Sequence, residues 1–436
     1  MTPSRPPDVE VSERSEPMAP RTVCVVGAGI VGLCVAEALQ RRGHVVTVIE
    51  RRAAERDGAS FGNAGLIVPS HVVPLAAPGV LGQGLRWLLD PESPFVIRPR
   101  LDPSLVGWGL RFLRSATRAH VERSAPLLRD LHLRSRALHL ALAARLGAGT
   151  AAPRTDGVLV ICDSAAGLRE ETHAAERAAA LGLAVDTLDA AGVTAAVGME
   201  VRSVGGVHYR DDAHASPAAL MRALQRHLEA RGVRFMWDAE VAAIDPSAPD
   251  RRLRLQGGRS LAADVVVLAS GVASASLVRP LGVTLPLVAG RGYSVTLHAP
   301  VERPSLPLLL HEARVALTPL DEGVRIGGTM EIAAEGAPVD ARRVRGIARS
   351  TERYLPAYRS DALVREPVWS GARPVSADGL PYLGRLRRAP AVVVATGHGM
   401  MGFSLGPVTG ELVTEVVAGR DDAVAAGLAP ERFSRS

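Results

Sequence analysis

The sequence predicts a two-lobed α/β protein, with one lobe built on a parallel sheet and discontinuous in sequence, and an α+β lobe carrying an antiparallel sheet. Three observations predict it. The chain has 436 residues and is 47% apolar, more than the roughly 250–300 residues that a single core supports. Its first ordered stretch reads strand, glycine turn, helix, strand. From about residue 291 onward, short alternating strands are separated by turn residues, as in an antiparallel sheet with one solvated face.

Residues 1–20 are rich in Pro, Ser and charge and lack the apolar segment of a signal peptide, so a disordered tail and a cytoplasmic protein are expected. Thr22 to Val26 is an apolar run without polar alternation, the pattern of a strand covered on both faces. A helix from Ile30 to Arg42 and a second strand from Val45 to Ile49 complete a βαβ unit. Residues 104–147 carry leucines at helical spacing and are expected to leave this lobe. Strands are expected from Val158 and over Gly205 to Tyr209, with a helix at Ala165 to Leu181 between them. Ser216 followed by Pro217 opens an amphipathic helix reaching Arg231. One strand is expected over Arg234 to Ile244, a Gly257-Gly258 hairpin over Leu253 to Leu261, and a buried strand over Val265 to Ala269. Alternating strands follow at Arg291 to His298, Arg314 to Pro319 and Val324 to Thr329. A helix over Val339 to Tyr354, a buried strand over Ala391 to Ala395 and a last helix from about Ser404 to Val417 close the chain.

Composition removes several chemistries. All 51 Lys+Arg residues are arginine, so no lysyl Schiff base and no phosphate-loop lysine can exist. The net charge of +6 is spread among 45 acidic residues and comes with no RNP-type aromatic pattern or recognition helix, which argues against nucleic acid. Cys24, Cys34 and Cys162 stand far apart with no CxxC or His-rich spacing, so neither a disulfide framework nor a metal site is expected. No run of about 18 uncharged apolar residues is present to span a bilayer.

The turn reads Gly27-Ala28-Gly29-Ile30-Val31-Gly32, directly after a strand and opening a helix, with Glu50 at the end of the next strand. In that context the pattern is a dinucleotide site. The first glycine permits the tight turn, the second admits the pyrophosphate, and the third lets helix and strand pack. The phosphates sit on the positive end of the helix. Glu50 would accept from the adenosine ribose hydroxyls, which argues against a 2′-phosphate. NAD and FAD both fit the motif. A long helical excursion, after which the chain revisits the lobe, favours FAD, and an NAD-dependent dehydrogenase remains the alternative.

Further segments carry a family resemblance: Ser60-Phe61-Gly62-Asn63-Ala64-Gly65, Arg291-Gly292-Tyr293-Ser294, Gly327-Gly328-Thr329-Met330-Glu331, Gly371-Ala372-Arg373-Pro374, Asp378-Gly379-Leu380-Pro381 and Thr396-Gly397-His398-Gly399 with Gly402. In this order the chain resembles the D-amino-acid dehydrogenase branch of the D-amino-acid oxidase, glycine oxidase and sarcosine oxidase family. The resemblance implies a Rossmann-type FAD-binding lobe over residues 21–80, 208–285 and 366–425, and a substrate lobe over 81–207 and 286–365. It implies cofactor contacts from Gly27, Gly29, Ile30, Val31 and Gly32, from Glu50 and Arg51, and from Ser60, Asn63, Ala64 and Gly65. It also implies contacts from Val241, Ser270, Gly271, Gly399, Met400 and Gly402. The reaction implied is oxidative deamination of a D-amino acid or cyclic imino acid by hydride transfer from Cα to flavin N5.

In that reading Arg373 binds the substrate carboxylate bidentately, Tyr293 places a phenol over the substrate, and His398 turns its main chain to the flavin, with its imidazole a candidate catalytic group. Glycine oxidase-like relatives carry a second arginine where this chain has Met400, which points to a single-arginine clamp and an apolar substrate side chain. Sarcosine oxidase-like relatives use a lysine to activate oxygen and attach FAD through a C-terminal cysteine, and this chain has neither. Noncovalent FAD and transfer of electrons to a quinone or another carrier are therefore expected, with an oxygen-using amine oxidase as the alternative. Trp87, Trp108 and Phe112, in the arginine-bearing region Arg86 to Arg118, leave peripheral contact with a membrane open.

Overall fold

The structure is a computed structural model that describes residues 19–79, 95–98, 100–147, 149–248, 253–300 and 302–434. The expected tail lies almost wholly outside these residues, as does Trp87.

The first sheet has six strands in the order Tyr382–Arg385, Val392–Thr396, Val265–Leu268, Thr22–Val26, Val45–Ile49 and Arg234–Met236. All are parallel except the Tyr382–Arg385 edge. The apolar runs are uninterrupted because both faces are covered. Val23, Val25, Val46 and Val48 join one core with the helices Ile30–Arg41, Pro217–Ala230 and Gly402–Val417, while Cys24, Val26 and Ile49 join another with the meander Val241–Ile244, Leu253–Leu255 and Ser260–Leu261. The sheet takes strands from four separated stretches of chain, so the lobe is discontinuous in sequence, as expected.

The second sheet has nine strands. Its main path runs Trp369–Ser376, Leu287–Leu297, Gly323–Ile332, Val315–Leu320, Leu308–Leu310, Val158–Cys162, Gly205–Tyr209 and Val185–Asp189, with Phe95–Ile97 joined to Gly323–Ile332. It is antiparallel apart from two parallel contacts. Together the two sheets give the mixed α/β architecture that the sequence predicts. Trp369–Ser376, which the division at residue 366 assigned to the first lobe, is hydrogen-bonded along its length to Leu287–Leu297 in the second sheet.

Several local expectations hold. The Ser216 hydroxyl accepts from Ala219 N–H as an N-cap (3.2 Å). The hairpin turns on Gly257 and Gly258, both with φ above +80°, the conformation a two-residue turn needs. Others are corrected. Arg234 to Ile244 is two strands, because Asp238 adopts φ +51° and its N–H bonds to Arg52 O, turning the chain around the end of Val45–Ile49. The long helix Arg118–Leu146 does not leave the first lobe. It buries Leu128, Leu138 and Leu142 in that lobe's core, and the Ser135 hydroxyl donates to Ser404 O (2.6 Å). Trp108 and Phe112 face inward as a stacked pair, and Trp108 Nε1 donates to Val375 O (3.1 Å).

Candidate active site

The glycine turn sits where the sheet's carboxyl ends meet the helix Ile30–Arg41. A Cβ at Gly32 would lie 1.9 Å from Gly27 O, and one at Gly27, whose φ is +106°, would lie 2.6 Å from Ala269 O. Only glycine admits these approaches. Gly29 caps the helix without a side chain, and no acidic residue occupies the first turn. The Ser60 hydroxyl accepts from Ile30 N–H (3.1 Å). The Glu50 carboxylate is fixed by two backbone donors, Ala28 N–H at 2.8 Å and Arg52 N–H at 3.1 Å. The result is a positive helix end bordered by one immobilised carboxylate, a donor set that fits a diphosphate and a ribose.

A continuous cleft runs from this turn. Of the residues expected to contact the cofactor, Gly27, Gly29, Ile30, Val31, Glu50, Arg51, Ser60, Asn63, Val241, Ser270, Gly271, Gly399 and Gly402 line it. Gly32, Ala64, Gly65 and Met400 do not. Gly32 and Gly65 instead serve close packing, Gly65 against Ala215 O, and Met400 is exposed at the surface. Arg51 pairs with Glu335 from the second lobe, so an ion pair crosses the cleft.

Arg373 lies on the same wall. Its strand pairs with Leu287–Leu297, placing Arg373 opposite Gly290, and its Nη1 donates to Thr329 O at 3.0 Å. No acidic residue among the described residues lies within ion-pair range. Burial pushes this guanidinium down to about 10, which still leaves it cationic at neutral pH. Thr329 has φ +69°, an outlier for a β-branched residue, where the pairing of the two strands slips between Arg291 and Tyr293. Arg291 and Ser370 also line the cleft and bond to each other through Arg291 Nη2 (2.7 Å). Arg291 stands in a quoted motif that gives it no role of its own, and Ser370 carries no sequence signal.

Of the other two expected catalytic residues, Tyr293 lies off the cleft wall and His398 lines it. The Tyr293 ring is 1% exposed in the second core, off the cleft wall, and its hydroxyl donates to the buried Glu331 carboxylate. Burial first, and that bond second, hold the phenol above its ordinary range. Glu331 also takes Arg98 and lies 3.8 Å from Arg291. His398 lines the cleft, and its buried imidazole is hydrogen-bonded to Thr409 Oγ1 (2.9 Å). That hydroxyl spends its hydrogen on Leu405 O (2.8 Å), so His398 Nε2 carries a proton and donates it. Burial lowers the ring to about 4 and keeps it neutral.

All three cysteines are free and buried. Burial raises Cys24 to about 11 and Cys162 to about 12, far from thiolate chemistry. Among the described residues no cluster of His, Cys, Asp or Glu could hold a metal ion, and no helix is long and apolar enough to cross a membrane.

Residues 22–416 match the family model described as FAD dependent oxidoreductase. A D-amino acid dehydrogenase of Cereibacter sphaeroides is 33% identical over 427 residues, which cover 94% of this chain and 95% of that protein. One from Paramagnetospirillum magneticum is 32% identical over 424 residues, covering 94% and 99%. Among solved structures, glycine oxidase from Geobacillus kaustophilus superposes with a TM-score of 0.73 at 23% identity, covering 94% of this chain and 98% of that one. L-proline dehydrogenase from P. horikoshii gives 0.70 at 17% identity, covering 95% and 98%.

Proposed function

Because the chain belongs to the FAD-dependent oxidoreductase family, we propose that it oxidises the Cα–N bond of a D-amino acid or cyclic imino acid, holding FAD noncovalently and passing electrons to a quinone or another carrier. When bound, FAD would supply a two-electron hydride acceptor for the substrate Cα–H, and water would hydrolyse the imine product to a keto acid with release of ammonia, or to the ring-opened amino keto acid for a cyclic substrate. The protein's contribution is placement and charge.

Arg373 carries the reading. It is a guanidinium on the cleft wall whose only hydrogen bond among the described residues goes to one backbone carbonyl, which leaves the rest of its fork for a substrate carboxylate. A cation next to the amine favours its neutral form, the form whose lone pair assists loss of hydride from Cα. No carboxylate among the described residues pairs with Arg373, so none competes with the substrate for it.

Transfer to a carrier rather than to oxygen is supported by the chain's lack of lysine and by the dehydrogenase names of the relatives. Val106, Leu110 and Leu113 are exposed at helical spacing on Pro103–Ser115, a face suited to brief contact with a bilayer carrying quinone.

Anaerobic mixing of the purified flavoprotein with a panel of D-amino, L-amino and imino acids tests the proposal. Bleaching of the flavin by D-amino or cyclic imino acids is expected. No bleaching by any amine would sink it.

A further inference from the structure

Arg56 sits at the glycine turn, outside any motif. It is 7% exposed, lines the cleft beside Ala28 and Gly29, and is held on three sides. Its Nε donates to Ala28 O (2.9 Å), and its Nη1 donates to Ala54 O (2.9 Å) and Gln225 Oε1 (2.8 Å). The guanidinium carbon lies 4.6 Å from the Trp237 ring centroid and 5.3 Å from that of Phe61, so two aromatic faces enclose it. Its Nη2 is buried and has no hydrogen-bond partner, and no described carboxylate stands within ion-pair range.

A buried cation with an unmet donor is unfavourable unless an anion completes it. The neighbouring helix start has a glycine N-cap and no acidic residue in its first turn, so it adds positive field at this end of the cleft, and Glu50 and Glu229 are the carboxylates that act on Arg56. Glu50, the acidic group at this end of the cleft, is already engaged by Ala28 and Arg52 N–H.

We propose that Arg56 is a further cofactor-binding residue, whose Nη2 donates to a diphosphate oxygen of the dinucleotide while Nε and Nη1 brace the turn. The Trp237 and Phe61 rings fix the guanidinium plane before the cofactor arrives, so little side-chain order is lost on binding. The inference rests on the FAD reading above.

The test measures FAD affinity of the full-length apoprotein by quenching of flavin fluorescence, with ADP and adenosine as competitors. Arg56→Gln is expected to weaken FAD about 10- to 100-fold, the range for a charge-assisted bond. ADP should weaken by the same factor, and adenosine, which lacks phosphate, should compete unchanged. Arg56→Lys should recover part of the loss, and it stands in should the glutamine variant fail to fold. FAD affinity within twofold of wild type in the folded variants, or adenosine weakened as much as ADP, would overturn the proposal. Wild-type apoprotein that binds no FAD would instead overturn the cofactor reading itself.

Discussion

The guanidinium of Arg373 rests against the bare Cα of Gly292: a Cβ built there would meet Nη2 at 2.1 Å and Cζ at 2.2 Å. Gly292 is thus the floor on which the carboxylate-binding group lies. Gly292→Ala should push the guanidinium off its position and lower kcat/KM at least about tenfold, mainly through KM, since misplacement by an ångström is costly. Flavin content should be unchanged, because the glycine turn is not touched. Steady-state kinetics on the flavin-replete variant check this, and an unaltered KM would contradict it.

Removing the charge itself should cost more. Arg373→Gln leaves the substrate carboxylate without a cation, a loss on the order of 2–5 kcal/mol, or roughly 30- to several-thousand-fold in kcat/KM. The pH profile adds a sign. Since burial has brought Arg373 to about 10, the cation is intact below that pH and is lost as pH rises through it, so KM should climb above about pH 10. Arg373→Lys should keep some activity and break at lower pH, because an ammonium starts from about 10.4 and burial lowers it too.

The glycine turn and Glu50 were legible in the sequence because their geometry is local. A strand, a turn and a helix start are consecutive, and each glycine's reason lies within a few residues. The relation of Arg373 to Gly292 was not, because it arises from pairing strands about eighty residues apart. Tyr293 carried a motif signal, yet the slipped pairing beside Thr329 places its hydroxyl on Glu331 rather than in the cleft. No periodicity announces such a bulge. Arg56 had no signal at all among 51 arginines; only its burial, its two rings and its unmet donor mark it. The helix Arg118–Leu146 was read correctly as helix and wrongly as leaving the lobe, since leucine spacing shows which face is buried and not what buries it.

Thr329 holds a left-handed backbone, a conformation that costs a non-glycine residue about 1–3 kcal/mol, and its carbonyl accepts from Arg373. Thr329→Gly removes the Cβ clash while keeping the carbonyl's direction. It should stabilise the protein by about 1 kcal/mol, net of the entropy glycine adds to the unfolded chain, and leave KM within about threefold. Thr329→Val keeps the strain and should match wild type in both respects. Thermal melts and kinetics of the pair decide it: a glycine variant less stable than the valine variant would show that the backbone is not strained there.

Asp212 gives the last prediction. It is wholly buried, accepting from Ser70 N–H (2.9 Å) and from the Ser70 hydroxyl (2.6 Å). Burial outweighs those bonds and raises its carboxyl to about 7. The folded protein therefore keeps this proton up to about pH 7, whereas the unfolded chain releases it near 3.9. Stability from Asp212 is complete below about pH 4 and is lost as pH rises to about 7, with a limiting slope of about 1.4 kcal/mol per pH unit. Asp212→Asn can keep both contacts, its carbonyl accepting from Ser70 N–H and its amide donating to the hydroxyl, without a charge to bury. The variant should melt several degrees above wild type at pH 8 and close to it at pH 4–5. Melting curves that run parallel across that range would show that the carboxylate is not held protonated by its surroundings.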